Sequence, residues 1–207
     1  MTRVLLVEDQ RMSRDSVTAY LNSSRRYNLV AHTPNAGMAE ILCMRYKVDL
    51  VLMDVRTENN EDGILAAATI KRHLPHIKVI IITSMTTVDL IDRAHKACVD
   101  SFWYKEVEGS ELLEVMDRTM DGEHVFPGAT PIVRIGNMLS SEISNRELDV
   151  LRLMVRGYSD ADIAKELVIS TSTVRYHITQ LLQKSGYDNR VKLIVDLINQ
   201  DFLVPGL

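Results

Sequence analysis

Three acids, a hydroxyl and an amine stand where short apolar runs of the chain end. They are Glu8, Asp9, Asp54, Thr83 and Lys105. A carboxylate buried at such a place needs a partner, because removing an unpaired charge from water is costly. Clustered carboxylates repel one another unless a cation joins them, and oxygen ligands select a hard ion such as Mg2+. A metal ion and the lysine together would neutralise a phosphoryl group placed on Asp54, with Thr83 donating to one phosphoryl oxygen.

The elements that must position these residues alternate regularly over the first 120 residues. Apolar runs predict strands at 3–9, 27–33, 48–54, 78–83 and 101–105. Amphipathic patterns predict helices near 11–23, 34–46, 62–74, 86–97 and 110–121. This rhythm is typical of an α/β fold, and we predict a flavodoxin-like, doubly wound parallel sheet of five strands. The carboxyl ends of parallel strands meet at one edge, so such a sheet would bring the five side chains into one pocket.

The pattern changes after residue 121. Residues 122–137 carry Gly and Pro without a clear period, and we predict a linker over 122–140. Helical patterns alone follow, near 144–156, 159–166, 171–185 and 188–201. Ser159 and Ser170 stand where they would cap two of these helices. We therefore predict a first domain over 1–121 and an all-α domain of four helices over 141–207.

The bulk composition excludes several classes of protein. The chain of 207 residues is 46% hydrophobic and carries a net charge of -4, which is ordinary for a globular protein. The two cysteines, Cys43 and Cys98, lie in helical patterns and fit a reducing compartment. The first apolar run breaks on acids, unlike a signal peptide, and no run is long enough to span a membrane. We expect a cytoplasmic protein without a membrane partner.

The order and spacing of the five pocket residues resemble the receiver domain of two-component response regulators, over residues 1 to about 121. The resemblance implies that Asp54 accepts a phosphoryl group from a cognate histidine kinase. It implies Mg2+ as the cofactor, held by Asp9, Asp54 and the main-chain carbonyl of Arg56, with Glu8 assisting. Thr83 and Lys105 would contact the phosphoryl group. Phe102, three residues before Lys105, matches the aromatic switch of the family.

The segment after Asp54 departs from the family pattern. The family commonly has Asp-x-x-Met-Pro-Gly-x-x-Gly, whereas this chain reads "DVRTENNEDG". The proline is missing, and Gly63 comes one residue later. Ser101 also replaces a usual glycine, and no proline follows Lys105. We therefore expect a reshaped loop beside the site.

The segment 143–190 resembles the LuxR-type helix-turn-helix of NarL/FixJ regulators. The matching positions are Arg146, Glu147, Leu151, Gly157, Ser159, Ile163, Ala164, Leu167, Ser170, Thr173, Val174, His177, Asn189 and Arg190. Helix 159–166 would be the first helix of the motif, and helix 171–185 the recognition helix. Arg175, Tyr176 and Thr179 share one helical face and are candidates for base edges in the major groove. The candidates for phosphate contacts are Ser172, Thr173, Lys184 and Arg190.

The charge of the second domain argues for weak binding by a single copy. Residues 141–207 hold eight Lys or Arg and nine Asp or Glu, so sequence-independent attraction to phosphates is small. The segment 171–187 nevertheless contains Arg175 and Lys184 and no acid. We expect a homodimer on DNA that binds inverted-repeat-like sites. In the last helix, Val195 or Ile198 would remain for a partner.

Two functions agree with these patterns. The leading one is a DNA-binding transcription regulator that is controlled by phosphorylation of Asp54. The alternative is an atypical regulator whose receiver works without phosphorylation, by dimerisation or by binding a protein partner. We do not expect an enzyme. An aspartate-nucleophile phosphatase needs a second acid two residues after the nucleophile, and that position holds Arg56. A nucleotide module would need a phosphate-cradling loop where Glu8 and Asp9 stand.

Overall fold

The computed structural model describes residues 1–87, 90–105, 109–200 and 202–203. The chain divides into two compact units, one formed mainly by residues 1–129 and the other mainly by residues 130–207. Among the described residues, no helix combines the length and the apolar character that crossing a membrane requires.

The first unit is a parallel sheet with helices on both faces, as predicted. In chain order its elements are β1 (Thr2–Val7), α1 (Arg11–Ser23), β2 (Tyr27–Thr33), a short 3-10 turn (Ala36–Met38), α2 (Ala39–Tyr46), β3 (Leu50–Asp54), β4 (Arg56–Thr57), β5 (Glu61–Asp62), α3 (Gly63–His73), β6 (Lys78–Thr83), α4 (Leu90–Lys96), β7 (Ser101–Tyr104) and α5 (Gly109–Met120). The five long strands are ordered β2-β1-β3-β6-β7, which is the flavodoxin-like order.

Nearly continuous apolar runs form the central strands because both faces of the sheet are covered. Every residue of β3 is buried, as is every residue of β6 after the first. Alternate residues such as Leu52 and Ile80 pack with α1 and α5 in one core. Helices α2 and α3 contact β1 and β3 on the other face. Such strands cannot alternate polar and apolar side chains, since neither face meets water.

The strand register brings the functional ends of the strands to one edge. Val7 pairs with Met53, Asp54 with Ile82, and Thr83 with Tyr104. Glu8 therefore follows β1 at the level where β3 ends on Asp54. The pocket residues are aligned by backbone hydrogen bonds between neighbouring strands.

Two local features of the first unit differ from the sequence prediction. The fourth helix is described over Leu90–Lys96 rather than from near residue 86. Thr86 and Thr87, whose β-branched side chains disfavour a helix, are not helical, and residues 88 and 89 lie outside the described residues. The reshaped loop after Asp54 is an ordered hairpin, in which β4 pairs antiparallel with β5. Asn59 accommodates the tight connection with a positive φ of 63°.

The second unit begins with structure that the sequence did not predict. Its elements are β8 (Arg134–Ile135), β9 (Met138–Leu139), α6 (Asn145–Val155), α7 (Asp160–Glu166), α8 (Thr171–Ser185) and α9 (Arg190–Asn199). Part of the segment predicted as a linker over 122–140 has regular structure, because β8 and β9 form an antiparallel hairpin within it.

Tertiary packing explains this hairpin. Its side chains Ile135 and Met138 are buried in the core of the second unit. Gly136 has a φ of 58°, and a Cβ there would lie 2.2 Å from the carbonyl oxygen of Ser185. Glycine is therefore needed both for the turn and for the close approach to α8.

The helix starts of the second unit follow the predicted capping chemistry. The side chains of Ser159 and Ser170 accept hydrogen bonds from the first turns of α7 and α8. Ser144 and Asn189 cap α6 and α9 in the same way. Each cap satisfies a backbone N–H that has no partner inside its helix.

Candidate functional sites

The centre of the first site is an ammonium group between two buried carboxylates. Lys105 Nζ lies 2.5 Å from Glu8 Oε2 and 2.7 Å from Asp54 Oδ2. Glu8 and Asp54 are buried and Lys105 is nearly so. The strand ends bring the three together although they are far apart in sequence. The site places two carboxyl groups against one ammonium group.

Glu8 is fixed by neighbours that sequence reasoning missed. Its two carboxylate oxygens accept hydrogen bonds from the Gln10 N–H at 2.9 Å and from the Ser13 hydroxyl at 2.5 Å. Its own N–H donates to the carbonyl of Thr33. Ser13 could have been found from the sequence, because it is a hydroxyl residue in the first turn of the helix that follows Glu8 and Asp9.

The charge arrangement shifts two pKa values. Burial raises the pKa of Asp54 to about 7; the positive charge of Lys105 opposes this rise, and the negative charge of Glu8 adds to it. Burial by itself would lower the pKa of Lys105, but attraction to Asp54 and Glu8 outweighs it and raises that pKa. The pocket therefore carries unfavourable negative charge that one more cation would relieve.

Asp9 completes a set of oxygen donors. It is exposed, and one oxygen each from Glu8, Asp9 and Asp54 lies within 4.8 Å of the others. Carboxylate oxygens at this spacing fit a hard divalent cation. Arg56, whose carbonyl was the further predicted ligand, begins β4 two residues beyond Asp54.

Thr83 and Phe102 lie on neighbouring strands of the same unit. Thr83 is buried at the end of β6, and its hydroxyl oxygen accepts a hydrogen bond from the N–H of Met85. The Lys105 N–H donates to the carbonyl of Thr83, which joins the ends of β6 and β7. Phe102 is buried in β7, with its ring 4.9 Å from that of Tyr104.

The β4–β5 hairpin is fastened on two sides. The Gly37 N–H donates to Glu61 Oε2 at 2.5 Å, and the Ala36 N–H donates to the hydroxyl of Thr57 at 3.2 Å. On the other side, Asp62 accepts hydrogen bonds from the first turn of α3 and forms an ion pair with Arg93 of α4. Sequence reasoning identified the unusual loop but none of these contacts.

Gly63, directly after the hairpin, packs tightly against the backbone of Asp54. Its N–H donates a hydrogen bond to the carbonyl of Val55 at 2.8 Å. A Cβ on Gly63 would lie 1.8 Å from the backbone oxygen of Asp54. Only glycine can therefore occupy this position without moving the backbone of Asp54.

The second candidate site is the outer face of α8. Val174, Ile178 and Leu181 are buried in the core, so the opposite face points outward. Ser172, Arg175, Tyr176 and Thr179 are exposed on this face. Arg175 has 71% of its side chain exposed.

Several predicted phosphate contacts have protein partners. The ammonium of Lys184 lies 2.8 and 2.9 Å from the two carboxylate oxygens of Glu147. Arg190 Nη1 lies 2.7 Å from Asp160 Oδ1. The hydroxyl of Thr173 lies 2.8 Å from that of Ser170. Any DNA contact made by Lys184 or Arg190 must therefore compete with an existing ion pair.

The last helix presents a short apolar stripe. Leu193 and Leu197 of α9 are buried, and Ile198 packs against the same core. Val191 and Val195, one turn apart, are 64% and 49% exposed. Of the two residues expected to remain for a partner, Val195 is exposed and Ile198 is not.

Two family models match the chain over most of its length. Residues 4–117 match the response regulator receiver domain. Residues 141–196 match the bacterial regulatory proteins of the luxR family. Both families contain regulators rather than typical enzymes.

The curated relatives match both parts of the chain together. The response regulator protein VraR of Staphylococcus aureus (strain Mu3) is 30% identical over 199 residues, covering 93% of this chain and 94% of VraR. VraR of Staphylococcus epidermidis (strain RP62A) is 29% identical with the same coverage.

A solved structure extends the similarity to the fold. RcsB from Salmonella enterica serovar Typhimurium, bound to promoter rprA in the presence of the phosphomimetic BeF3-, aligns with a TM-score of 0.64 and 20% identity. The alignment covers 95% of this chain and 98% of the RcsB chain. The chain therefore belongs to the two-component response regulators of the NarL/FixJ type, in which a receiver domain is followed by a LuxR-type helix-turn-helix domain that binds DNA.

Proposed function

We propose that Asp54 is the phosphoacceptor and that its phosphorylation by a histidine kinase controls DNA binding by α8. The observation that carries this proposal is the pairing of Lys105 with both Glu8 and Asp54 at the strand ends, with Asp9 beside them. Such a carboxylate can accept a phosphoryl group, and the adjacent ammonium group can neutralise part of the phosphoryl charge.

The proposed step is a displacement at phosphorus. A carboxylate oxygen of Asp54 forms the new P–O bond, while the bond from phosphorus to the donor breaks and its electron pair leaves with the donor. Lys105 attracts the phosphoryl oxygens, and the hydroxyl of Thr83 donates a hydrogen bond to one of them. Mg2+, held by Asp9, Asp54 and the Arg56 carbonyl with help from Glu8, would supply further positive charge to these oxygens.

The test is phosphorylation of the full chain with acetyl phosphate and Mg2+, followed by intact-mass measurement. We expect the mass to increase by one phosphoryl group, only with Mg2+, and Asp54→Ala to abolish the gain. Asp15→Ala is a matched control because Asp15 is an exposed acid outside the pocket. An unchanged wild-type mass with an active donor would contradict the proposal.

The β4–β5 hairpin favours one alternative, a receiver that works without phosphorylation. This loop lies beside the site and departs from the family sequence, so it could prevent a kinase or a metal ion from reaching Asp54. Such a receiver would regulate by dimerisation or by binding a protein partner. A failure of phosphorylation combined with normal DNA binding would support this alternative.

For DNA, we propose that Arg175, Tyr176 and Thr179 contact base edges. Their exposure on one face of α8 supports this assignment. Ser172, Thr173, Lys184 and Arg190 remain candidates for phosphate contacts. If Arg175 contacts a base, Arg175→Ala should cost roughly 1–3 kcal/mol at the selected site and relax base preference there. Equal loss on every sequence would make it a phosphate contact.

Tight binding is proposed to require two copies on inverted-repeat-like DNA. The helix-turn-helix domain has no excess of basic residues, so one copy binds weakly. Linking two weak contacts raises the affinity without a new type of contact. Similar RcsB chains form dimers bound to DNA.

Phosphorylation would favour the dimer through the receiver surface near Phe102. Sedimentation and DNA binding with and without acetyl phosphate test this, and a stable dimer of unchanged affinity in both states would refute it.

A further inference from the structure

One carboxylate contacts both of the candidate DNA-binding arginines. Asp160, the first residue of α7, places Oδ1 2.7 Å from Nη1 of Arg190 and Oδ2 3.4 Å from Nε of Arg175. The two arginines come from α9 and α8, so Asp160 connects α7 with both of these helices. Its side chain is 23% exposed.

The atoms used in these contacts decide what remains available to DNA. Asp160 approaches Arg175 at Nε, which leaves the two terminal nitrogens of the guanidinium free of this contact. A pair of parallel N–H groups is what the O6 and N7 acceptors of guanine accept in the major groove. The contact therefore restrains the arginine without occupying the edge that would contact the base.

Restraint matters because Arg175 is largely exposed. A long exposed side chain explores many rotamers, and ordering it on binding lowers the affinity that its contacts can give. An anchored guanidinium loses less freedom and presents its donors in fewer directions. Planar, bidentate recognition depends on such orientation more than a simple charge contact does.

We propose that Asp160 is a positioning residue for sequence recognition, which orients Arg175 toward its base and holds Arg190 at the start of α9. This inference rests on the proposed base contact of Arg175. The acid also repels DNA phosphates, so it lowers affinity for every sequence. Asp160 thus reduces general affinity and increases the ratio of specific to non-specific affinity, two effects that can be measured separately.

The test compares Asp160→Asn with Glu166→Gln in the full-length protein. Each change removes one negative charge from α7, but Glu166 is an exposed acid in the last turn of the helix. Affinities are measured for a duplex selected from a random library by the wild-type protein and for a scrambled duplex, over a range of salt concentrations. Thermal melts establish that each variant is folded.

We expect Asp160→Asn to lower the ratio of specific to scrambled affinity by roughly 3- to 30-fold, a range typical of coupled neighbouring side chains. Glu166→Gln should leave that ratio unchanged. In an Arg175→Ala background, Asp160→Asn should change the ratio no further. Equal gains in affinity for both duplexes, in both α7 variants, would show that Asp160 acts by charge alone and would overturn the inference.

The Arg175 variants separate this inference from the proposed function. If Arg175→Ala leaves the ratio unchanged, the proposed base contact fails first. If Arg175→Ala lowers the ratio and Asp160→Asn does not, only the positioning role fails. Should Asp160→Asn be unfolded, Asp160→Ser replaces it, because serine also removes the carboxylate that contacts both arginines. A wild-type ratio in Asp160→Ser would then overturn the inference.

Discussion

Replacing Gly63 with alanine should damage the phosphoacceptor site through the backbone of Asp54. The added Cβ would lie 1.8 Å from the Asp54 carbonyl oxygen and 2.9 Å from its carbonyl carbon. Ordinary contact begins near 3.4 Å, so the two segments must separate by about 1.6 Å, the difference between 3.4 Å and 1.8 Å. Strand pairing restrains Asp54 on one side, and the hydrogen bond from Gly63 to Val55 restrains the start of α3 on the other.

The magnitude follows from this displacement. Forcing an extra carbon into a packed site costs typically about 1–3 kcal/mol of stability. A shift of about 1 Å in a reacting group can lower a rate on the order of 100-fold. We therefore expect Gly63→Ala to lower the free energy of unfolding by about 1–3 kcal/mol and to slow phosphorylation by roughly 10- to 100-fold.

The assay follows phosphorylation by acetyl phosphate and Mg2+ with intact-mass spectrometry over time, alongside urea denaturation. Gly128→Ala is the matched control, because a Cβ at Gly128 would meet nothing within 4 Å. A Gly63→Ala protein with the wild-type rate and stability would refute the reasoning, since the backbone of Asp54 would then have room that the structure denies it.

Three further predictions address other parts of the molecule. Burial alone would raise the pKa of Asp100, but hydrogen bonds from two lysines and a backbone N–H lower it. The stability lost in Asp100→Asn should therefore be greatest above about pH 4 and should shrink as the pH falls below it, in urea denaturation at several pH values. Lys184→Gln should lower the free energy of unfolding by about 1–2 kcal/mol in urea denaturation, because it leaves the buried Glu147 without its partner while Lys184 itself is 36% exposed; an unchanged stability would contradict this. If Lys184 also contacts a DNA phosphate, the variant should in addition lower the salt dependence of DNA binding by about one contact. Val195→Glu should weaken binding to an inverted repeat by at least roughly tenfold and leave binding to a half-site unchanged; equal affinities on the repeat would exclude α9 from the dimer.

Much of the fold could be predicted because local signals agreed with the tertiary result. The strands β3 and β6 are buried on both faces, so each must be almost entirely apolar, and such a run can be recognised in the sequence. The serines at 159 and 170 cap their helices as their chemistry predicts. The hairpin of β8 and β9 could not be predicted, because its short strands are stabilised mainly by burial of Ile135 and Met138 in the second core.

The sequence by itself determined the residue types of both sites and their order along the chain. It placed Glu8, Asp54 and Lys105 at strand ends, and a parallel sheet with this strand order can only gather them at one edge. Only the tertiary structure decided the partners. Whether an arginine is free or paired depends on side chains from other helices, as with Asp160 and Arg190. Such contacts leave no periodic signal in the sequence, because they are set by the distance and direction between packed elements rather than by position within one element.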